Sequence, residues 1–322
     1  MVSGKAKNKA PSLTKSKSST DVFFLKRGDI IEIVAPASAC PPDVIEKGVQ
    51  WIESNGFRAR VPNDLLKPEI YLSNSDAYRF EHLKKALLSK ETKAIWCVRG
   101  GYGASRIIPD LLKLKKQKEK LFIGISDITT LHLFLIQKWG WRTAHASLLD
   151  RLAEKKLTPE NEFELMEALS GNKSEFEFSN LIPMNEKAKK NAVIKSKIIG
   201  GNLTVLASNI GTANSLTAKN YILFLEDLGE RGYRVDRMLQ QIKQCPSFKY
   251  CKAIVLGEFL GGDEPNKENH VLTTLTNFSK DLNIPVFSGI DCGHGLVQRP
   301  LFFNTQAVLF SGAKAQLKIY NK

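Results

Sequence analysis

Apolar residues fall along the chain in short solid blocks separated by stretches with a helical repeat. Residues 30–35 (IIEIVA), 94–98 (AIWCV) and 121–125 (LFIGI) are compact apolar runs. Runs of this length predict strands covered on both faces, as in a parallel sheet. Between them lie helical repeats. Residues 43–55 align Ile45, Val49 and Ile52 and stop at Gly56, and residues 76–90 align Phe80, Leu83 and Leu87. A short strand is expected at 57–61, and further helices at 104–118 and 128–138. Strands alternating with helices predict an α/β domain over 21–158. The stretch 159–190 is more polar, with an acidic helical run at 159–169 before Gly171, and reads as a connector. Beyond it strands are expected at 193–199, 221–225, 253–257, 284–288, 307–310 and 315–320, with one clear helix at 234–243. That pattern predicts a second, smaller, β-rich domain over 191–322.

Length and composition agree with this division. The chain has 322 residues, 43% apolar and 25% charged. Its length exceeds the roughly 100–200 residues of a usual single domain. No run approaches the ~18–20 apolar residues of a membrane-spanning helix. Residues 1–20 contain five lysines, no acid and no apolar block. They are expected to form a disordered basic tail and, without an apolar stretch, are not expected to act as a secretory signal. A cytoplasmic location is the default expectation.

The net charge of +14 weakens as a nucleic-acid signal once the tail is set aside, since 42 of the 47 basic residues then face 33 acids. The clusters Lys113, Lys115, Lys116, Lys118, Lys120 and Lys187, Lys189, Lys190, Lys195, Lys197 include no aromatics to stack bases. They read as solvated surface, and no nucleic-acid partner is expected. Five cysteines without a CxxC pair fit free thiols. No histidine pair has metal-ligand spacing supported by cysteine or carboxylate, so neither a metal nor another cofactor is expected.

Four segments could carry chemistry. In Gly124-Ile125-Ser126-Asp127 a buried strand runs into a Gly-x-Ser turn and then an apolar helix. This is the setting of a nucleophile elbow, although Ile128 replaces the second glycine; a helix-capping serine is the alternative. Arg99-Gly100-Gly101-Tyr102-Gly103 follows another strand and permits close backbone approach. Both lie at the carboxyl ends of strands, where open α/β sheets place their sites. In Leu223-Phe224-Leu225-Glu226-Asp227 two carboxylates close a strand. They point to opposite faces, so they should not share a role; a salt bridge to Arg231, Arg234 or Arg237 is the alternative for Glu226. Asp291-Cys292-Gly293-His294-Gly295 sets a histidine between two glycines on a loop. Nucleophile Ser126, acid Glu226 and base His294 would make a triad in one of the chain orders known to deliver that geometry. Ser126 lies in the first predicted domain and its partners in the second, so activity would require a cleft between them.

These segments, in this order, together with Ala35-Pro36-Ala37-Ser38, Gly200-Gly201-Asn202-Leu203 and the run from Phe224 through Leu239, resemble the LD-carboxypeptidase family. That family comprises muramoyltetrapeptide carboxypeptidases and microcin C self-immunity peptidases, and the resemblance spans about 22–322. It implies a flavodoxin-like N-terminal domain, a β-rich C-terminal domain and a homodimer. It also implies a serine peptidase that removes the terminal D-alanine of murein tetrapeptide in cytoplasmic peptidoglycan recycling. The catalytic triad would be Ser126, Glu226 and His294, with backbone oxyanion donors at Asp127 and Gly101. Arg99 and Tyr102 are candidates for substrate contact, Arg99 for the terminal carboxylate. The chain departs from the family in having His145-Ala146-Ser147 where His-Gly-Pro is common. The rival readings are hydrolysis of a peptidyl-nucleotide of the microcin type and a non-catalytic muropeptide- or nucleic-acid-binding protein.

Overall fold

The computed structural model describes residues 23–321; the basic tail at 1–20 lies outside the described residues. Two sheets organise the chain. The first takes β1 (Ile30–Val34), β2 (Arg58–Arg60), β3 (Thr92–Cys97), β4 (Leu121–Gly124) and β5 (Thr143–His145). The second takes β6 (Glu175–Phe178), β7 (Ile182–Pro183), β8 (Ala192–Asn202), β9 (Tyr221–Leu228), β10 (Ala253–Leu260) and β11 (Val286–Ser288). The chain then returns β12 (Leu301–Phe303) to the first sheet and ends with β13 (Gln306–Ser311) and β14 (Gln316–Tyr320) in the second.

The first sheet has the order β12-β5-β4-β3-β1-β2. All its pairings are parallel except that of β12 with β5. Its central strands are buried, Lys93 in β3 excepted, because helices cover both faces, which is why they read as apolar runs. The second sheet has the order β6-β14-β13-β8-β9-β10-β11-β7. Its core, β8-β9-β10-β11, is parallel, and the strands on either side are antiparallel. This mixed α/β architecture with two sheets is the class expected.

Several local readings change. The helix expected over 104–118 ends early: a 3₁₀ turn at Ala104–Ile107 leads into a helix at Ile108–Leu111. Pro109 occupies the first helical turn. After Leu114 the sequence offers lysines and no further apolar face, so nothing holds a longer helix against the sheet. The second half contains an unexpected helix, Val271–Lys280, which buries Val271, Leu275 and Phe278. The stretch 159–190 holds the expected acidic helix, Pro159–Ser170, capped by Thr158 and closed by Gly171 at φ 78°. It also supplies β6 and β7, the edge strands of the second sheet.

The two sheets meet at their carboxyl ends. The Thr129 hydroxyl, in the helix that follows Ser126, accepts the Asn202 N–H at 3.1 Å. Gly201, at φ 132°, lies so close to Thr129 that a Cβ would approach its Oγ1 to 2.4 Å. The His145 and Phe224 rings touch edge to face with centroids 5.2 Å apart. The two sheets are therefore joined by close, specific contacts.

Candidate active site

Ser126 caps the carboxyl end of β4 with φ 66°, a left-handed conformation that is strained for a residue with a Cβ. The strain belongs to the tight strand-to-helix turn. Gly124 is what allows that turn to close: a Cβ there would stand 2.7 Å from Ile128 Cγ2. The helical segment that begins at Ser126 runs on through Phe134 and ends beyond a π turn at Gly140. Asp127 is buried and its Oδ2 accepts the Ala104 N–H at 2.8 Å. Burial pushes its pKa up to about 6 despite that bond. The Asp127 carboxylate thus ties the serine turn to the end of the glycine loop.

The glycine loop lies directly against the serine. A Cβ on Gly100 would stand 2.7 Å from Ser126 Cβ and 3.0 Å from its Oγ. Gly101 adopts φ 89°, with Ser38 packed where its side chain would be. Ser38 braces the loop in two ways: its N–H donates to the Gly100 carbonyl at 3.0 Å, and its Oγ accepts the Tyr102 N–H at 3.0 Å. A buried guanidinium clamps the loop from behind. Arg79 donates to the carbonyls of Gly103 and Asn74 at 2.8 and 3.1 Å, and also to Pro36 O and Asp76. Arg79 and Ser38 hold the loop together, and sequence reading did not single out Arg79. We expect Gly100→Ala to keep its fold, because the backbone there is ordinary, yet to lose at least about 10²-fold in kcat through displacement of Ser126. A circular dichroism melt beside peptidase kinetics checks this.

Across the crevice, Glu226 near the end of β9 is wholly buried, and its Oε2 meets His294 Nδ1 at 2.6 Å. The salt-bridge alternative for Glu226 is thereby replaced: Arg231 pairs with Glu264 and Arg234 with Glu230, each at 3.4 Å. Asp227 points the other way, accepting from Asn202 Nδ2 at 3.1 Å and from the Thr204 N–H and hydroxyl at 2.8 Å. The two neighbouring acids thus have different tasks, as the alternation of side chains requires. Burial pulls the His294 pKa down, but the bond and charge of Glu226 outweigh it and hold the pKa above the ordinary value.

His294 does not stand out on an open loop: its side chain is only 10% exposed. The loop is pinned by residues that sequence reading did not pick. Arg151 donates to the carbonyls of His294 and Gly295 at 3.1 and 2.6 Å. Glu258 accepts the Gly295 N–H at 2.7 Å. Gln298 donates to the Gly293 carbonyl. Glu258 follows the buried start of β10 much as Glu226 follows that of β9, so the same signal could have found it. Cys292 is fully buried, and burial drives its thiol well above the usual range, which leaves it inert.

Glu226 and His294 are joined directly. Among the described residues Ser126 Oγ makes no hydrogen bond to the imidazole. His145 pairs in register with Gly124, and its own pKa is depressed first by burial and further by the charges of His132 and His294. Arg99 is 45% exposed, with Nε 4.0 Å from Asp150 Oδ2. Tyr102 is exposed at the mouth of the loop, edge to face with Tyr71 at 5.3 Å. Among the described residues no group of acids, histidines or cysteines could hold a metal ion.

The LD-carboxypeptidase N-terminal domain matches residues 31–146, and the C-terminal domain of the same family matches residues 195–309. The chain belongs to the LD-carboxypeptidase family. It is 39% identical over 306 residues to a Rickettsia prowazekii protein that carries a provisional carboxypeptidase name, with 94% of each chain covered. It is 29% identical to the murein tetrapeptide carboxypeptidase of Pseudomonas aeruginosa, covering 91% of this chain and 97% of that one. The crystal structure of muramoyltetrapeptide carboxypeptidase from Oxalobacter formigenes superposes with a TM-score of 0.76 at 27% identity, covering 90% and 98% of the two chains. The microcin C7 self-immunity protein, solved with aspartyl sulfamoyl adenosine, superposes with a TM-score of 0.79 at 19% identity over 92% of this chain and 97% of that one, a likeness of fold. As a member of this family the chain is a peptidase of the carboxypeptidase type.

Proposed function

We propose that this carboxypeptidase is serine-type and removes the terminal D-alanine from murein tetrapeptide. What supports the reading is the buried Glu226–His294 bond together with a serine on a strained, left-handed turn at the carboxyl end of β4. A free serine hydroxyl is a poor nucleophile near neutral pH and needs a base. Ser126 Oγ attacks the carbonyl that precedes D-Ala, and His294 Nε2 takes its proton. Glu226 fixes the tautomer by accepting from Nδ1 and stabilises the imidazolium as it forms. The N–H groups of Asp127 and Gly101 hold the oxyanion. Each such donor is worth roughly 3–4 kcal/mol in a serine protease. His294 then protonates the leaving amine, and water releases the acyl group from Ser126. Arg99, cationic and exposed at the end of β3, is the partner for the terminal carboxylate, and Tyr102 lines the approach. In this reading the hydroxyl–imidazole bond forms when substrate enters, a common difference between free and bound hydrolases. In this reading the protein is a cytoplasmic homodimer acting in peptidoglycan recycling, with the nucleophile carried by 21–158 and its partners by 191–322.

The test is incubation of the purified protein with a mixture of murein peptides, followed by mass spectrometry. The expected product is tetrapeptide shortened by one alanine, with pentapeptide untouched. An unchanged tetrapeptide together with cleavage of a peptidyl-nucleotide of the microcin type would replace this reading with the antibiotic-directed one. No turnover of either would leave a binding protein.

A further inference from the structure

One chain segment outside the triad connects the serine turn, the glycine loop and the histidine loop. It leaves β5 at His145, passes the carboxyl ends of β4 and β3 and enters the short helix Leu149–Ala153. Its Ala146 N–H donates to the Gly124 carbonyl at 3.3 Å, just before Ser126. Its Ser147 carbonyl accepts from Trp96 Nε1 at 2.9 Å. Its Asp150 N–H donates to the Val98 carbonyl at 3.0 Å, just ahead of the glycine loop. The segment is thus fixed both to the turn that carries Ser126 and to the strand that leads to Gly101. The next residue, Arg151, reaches into the second half of the chain. Its Nη1 donates to the His294 carbonyl at 3.1 Å and its Nη2 to the Gly295 carbonyl at 2.6 Å. Gly295 is also held from its other side, because Glu258 Oε2 accepts its N–H at 2.7 Å. A Cβ at 295 would fall 1.9 Å from Glu258 Oε1, so glycine is what lets the carboxylate close on the backbone.

Resting on the proposed peptidase reading, we propose that Arg151 is a positioning residue: with Glu258 it clamps Gly295 and so sets where the His294 imidazole stands relative to Ser126. It acts through the base loop and not on the substrate. Glu226 alone cannot do this. It fixes the ring at Nδ1, but β9 and the loop both belong to the second half of the chain, so that bond does not register the base against the serine. Arg151 starts from the segment that is bonded to the serine turn and ends on the backbone of the base. A planar fork with two donors fixes direction as well as distance, which a single ammonium does not.

The test compares the full chain with Arg151→Lys, Arg151→Met, Glu258→Ala and Glu258→Gln, each melted beside its kinetics on murein tetrapeptide. Arg151→Lys keeps the charge and loses the fork; Arg151→Met loses both. Both should lose about 10²-fold in kcat, the scale of a misplacement of about 1 Å. KM should stay within about threefold, as expected when no substrate contact is lost. Glu258→Ala should lose at least about tenfold in kcat, and Glu258→Gln should recover most of that loss, because an amide oxygen still accepts the Gly295 N–H. Charge gives a readout independent of turnover. Burial lowers the His294 pKa, Glu226 raises it by bond and charge, Arg151 lowers it and Asp227 raises it. His145 and Glu258 also lie within reach of its charge. An NMR titration of the His294 ring should therefore give a higher pKa in Arg151→Met than in wild type, and no such rise in Arg151→Lys. A kcat within about threefold of wild type in Arg151→Lys, a loss carried by KM, or an unraised His294 pKa in Arg151→Met overturns the clamp, and wild-type turnover then leaves the peptidase reading standing. Absence of any wild-type turnover overturns the peptidase reading, and the kinetic role of the clamp with it.

Discussion

Ser126→Ala is expected to abolish tetrapeptide turnover, lowering kcat by about 10⁴-fold or more. That is the scale on which serine-protease triads lose activity when one member is removed. Mass-spectrometric assay of alanine release measures it directly. Ser126→Gly should be just as inactive but should melt higher than Ser126→Ala. The reason is the backbone: position 126 sits at φ 66°, where a Cβ costs about 1 kcal/mol or more and glycine does not. The pair of variants separates the two properties of the turn, a hydroxyl that reacts and a strain that aims it. An alanine variant within tenfold of wild type sinks the nucleophile assignment. A glycine variant that melts no higher than alanine sinks the argument that the turn stores strain.

The parts of this site that could be read from sequence are those in which a local signal and the tertiary role coincide. A buried strand running into Gly-x-Ser must turn sharply, and the structure places Ser126 on that turn. Two adjacent carboxylates at a strand end must diverge, and Glu226 reaches His294 while Asp227 holds the Asn202 and Thr204 side of the crevice. The glycines around His294 mark a loop pressed against its neighbours, and a Cβ on Gly295 would fall 1.9 Å from Glu258 Oε1. What was not legible depends on distant pairing. Arg79 looks like any helical arginine until the fold closes three carbonyls around it. Arg151 lies in a polar stretch whose only hint is composition, yet it holds the backbone of the histidine loop from 143 residues away. The strand Leu301–Phe303 went unread for the same reason, since its partner, β5, belongs to the other half of the chain. Local periodicity cannot announce a contact whose partner lies in a distant part of the chain.

Glu226→Gln should leave the fold intact, cost about 10⁴-fold in kcat and move the acid limb of the pH profile downward. The first effect follows from the tautomer. A neutral amide can present its NH₂ to Nδ1, which places the ring proton on Nε2 and leaves no lone pair for the serine proton. The second follows from the forces on His294. In the wild type, burial pulls its pKa down and Glu226 more than compensates, so the base becomes neutral only above the ordinary histidine value of about 6.5. The wild-type acid limb of kcat/KM should therefore lie above that pH. Without the carboxylate, burial and the nearby Arg151 pull the pKa down against the weaker charge of Asp227, and the limb falls. A purely structural role for Glu226 would not move the profile. Stability gives a third, independent sign. Burial raises the Glu226 pKa, so its carboxylate is held at a cost that glutamine does not incur, and Glu226→Gln should melt within a few degrees of wild type. His294→Ala leaves the same carboxylate inside without its partner and should lose about 3–5 kcal/mol. Raising the proton concentration should return part of that loss, because the orphaned acid is then neutral. Full activity in Glu226→Gln with an unmoved acid limb, or equal melting of the two variants, would show that the pair is not the buried acid–base couple on which the hydrolytic reading depends.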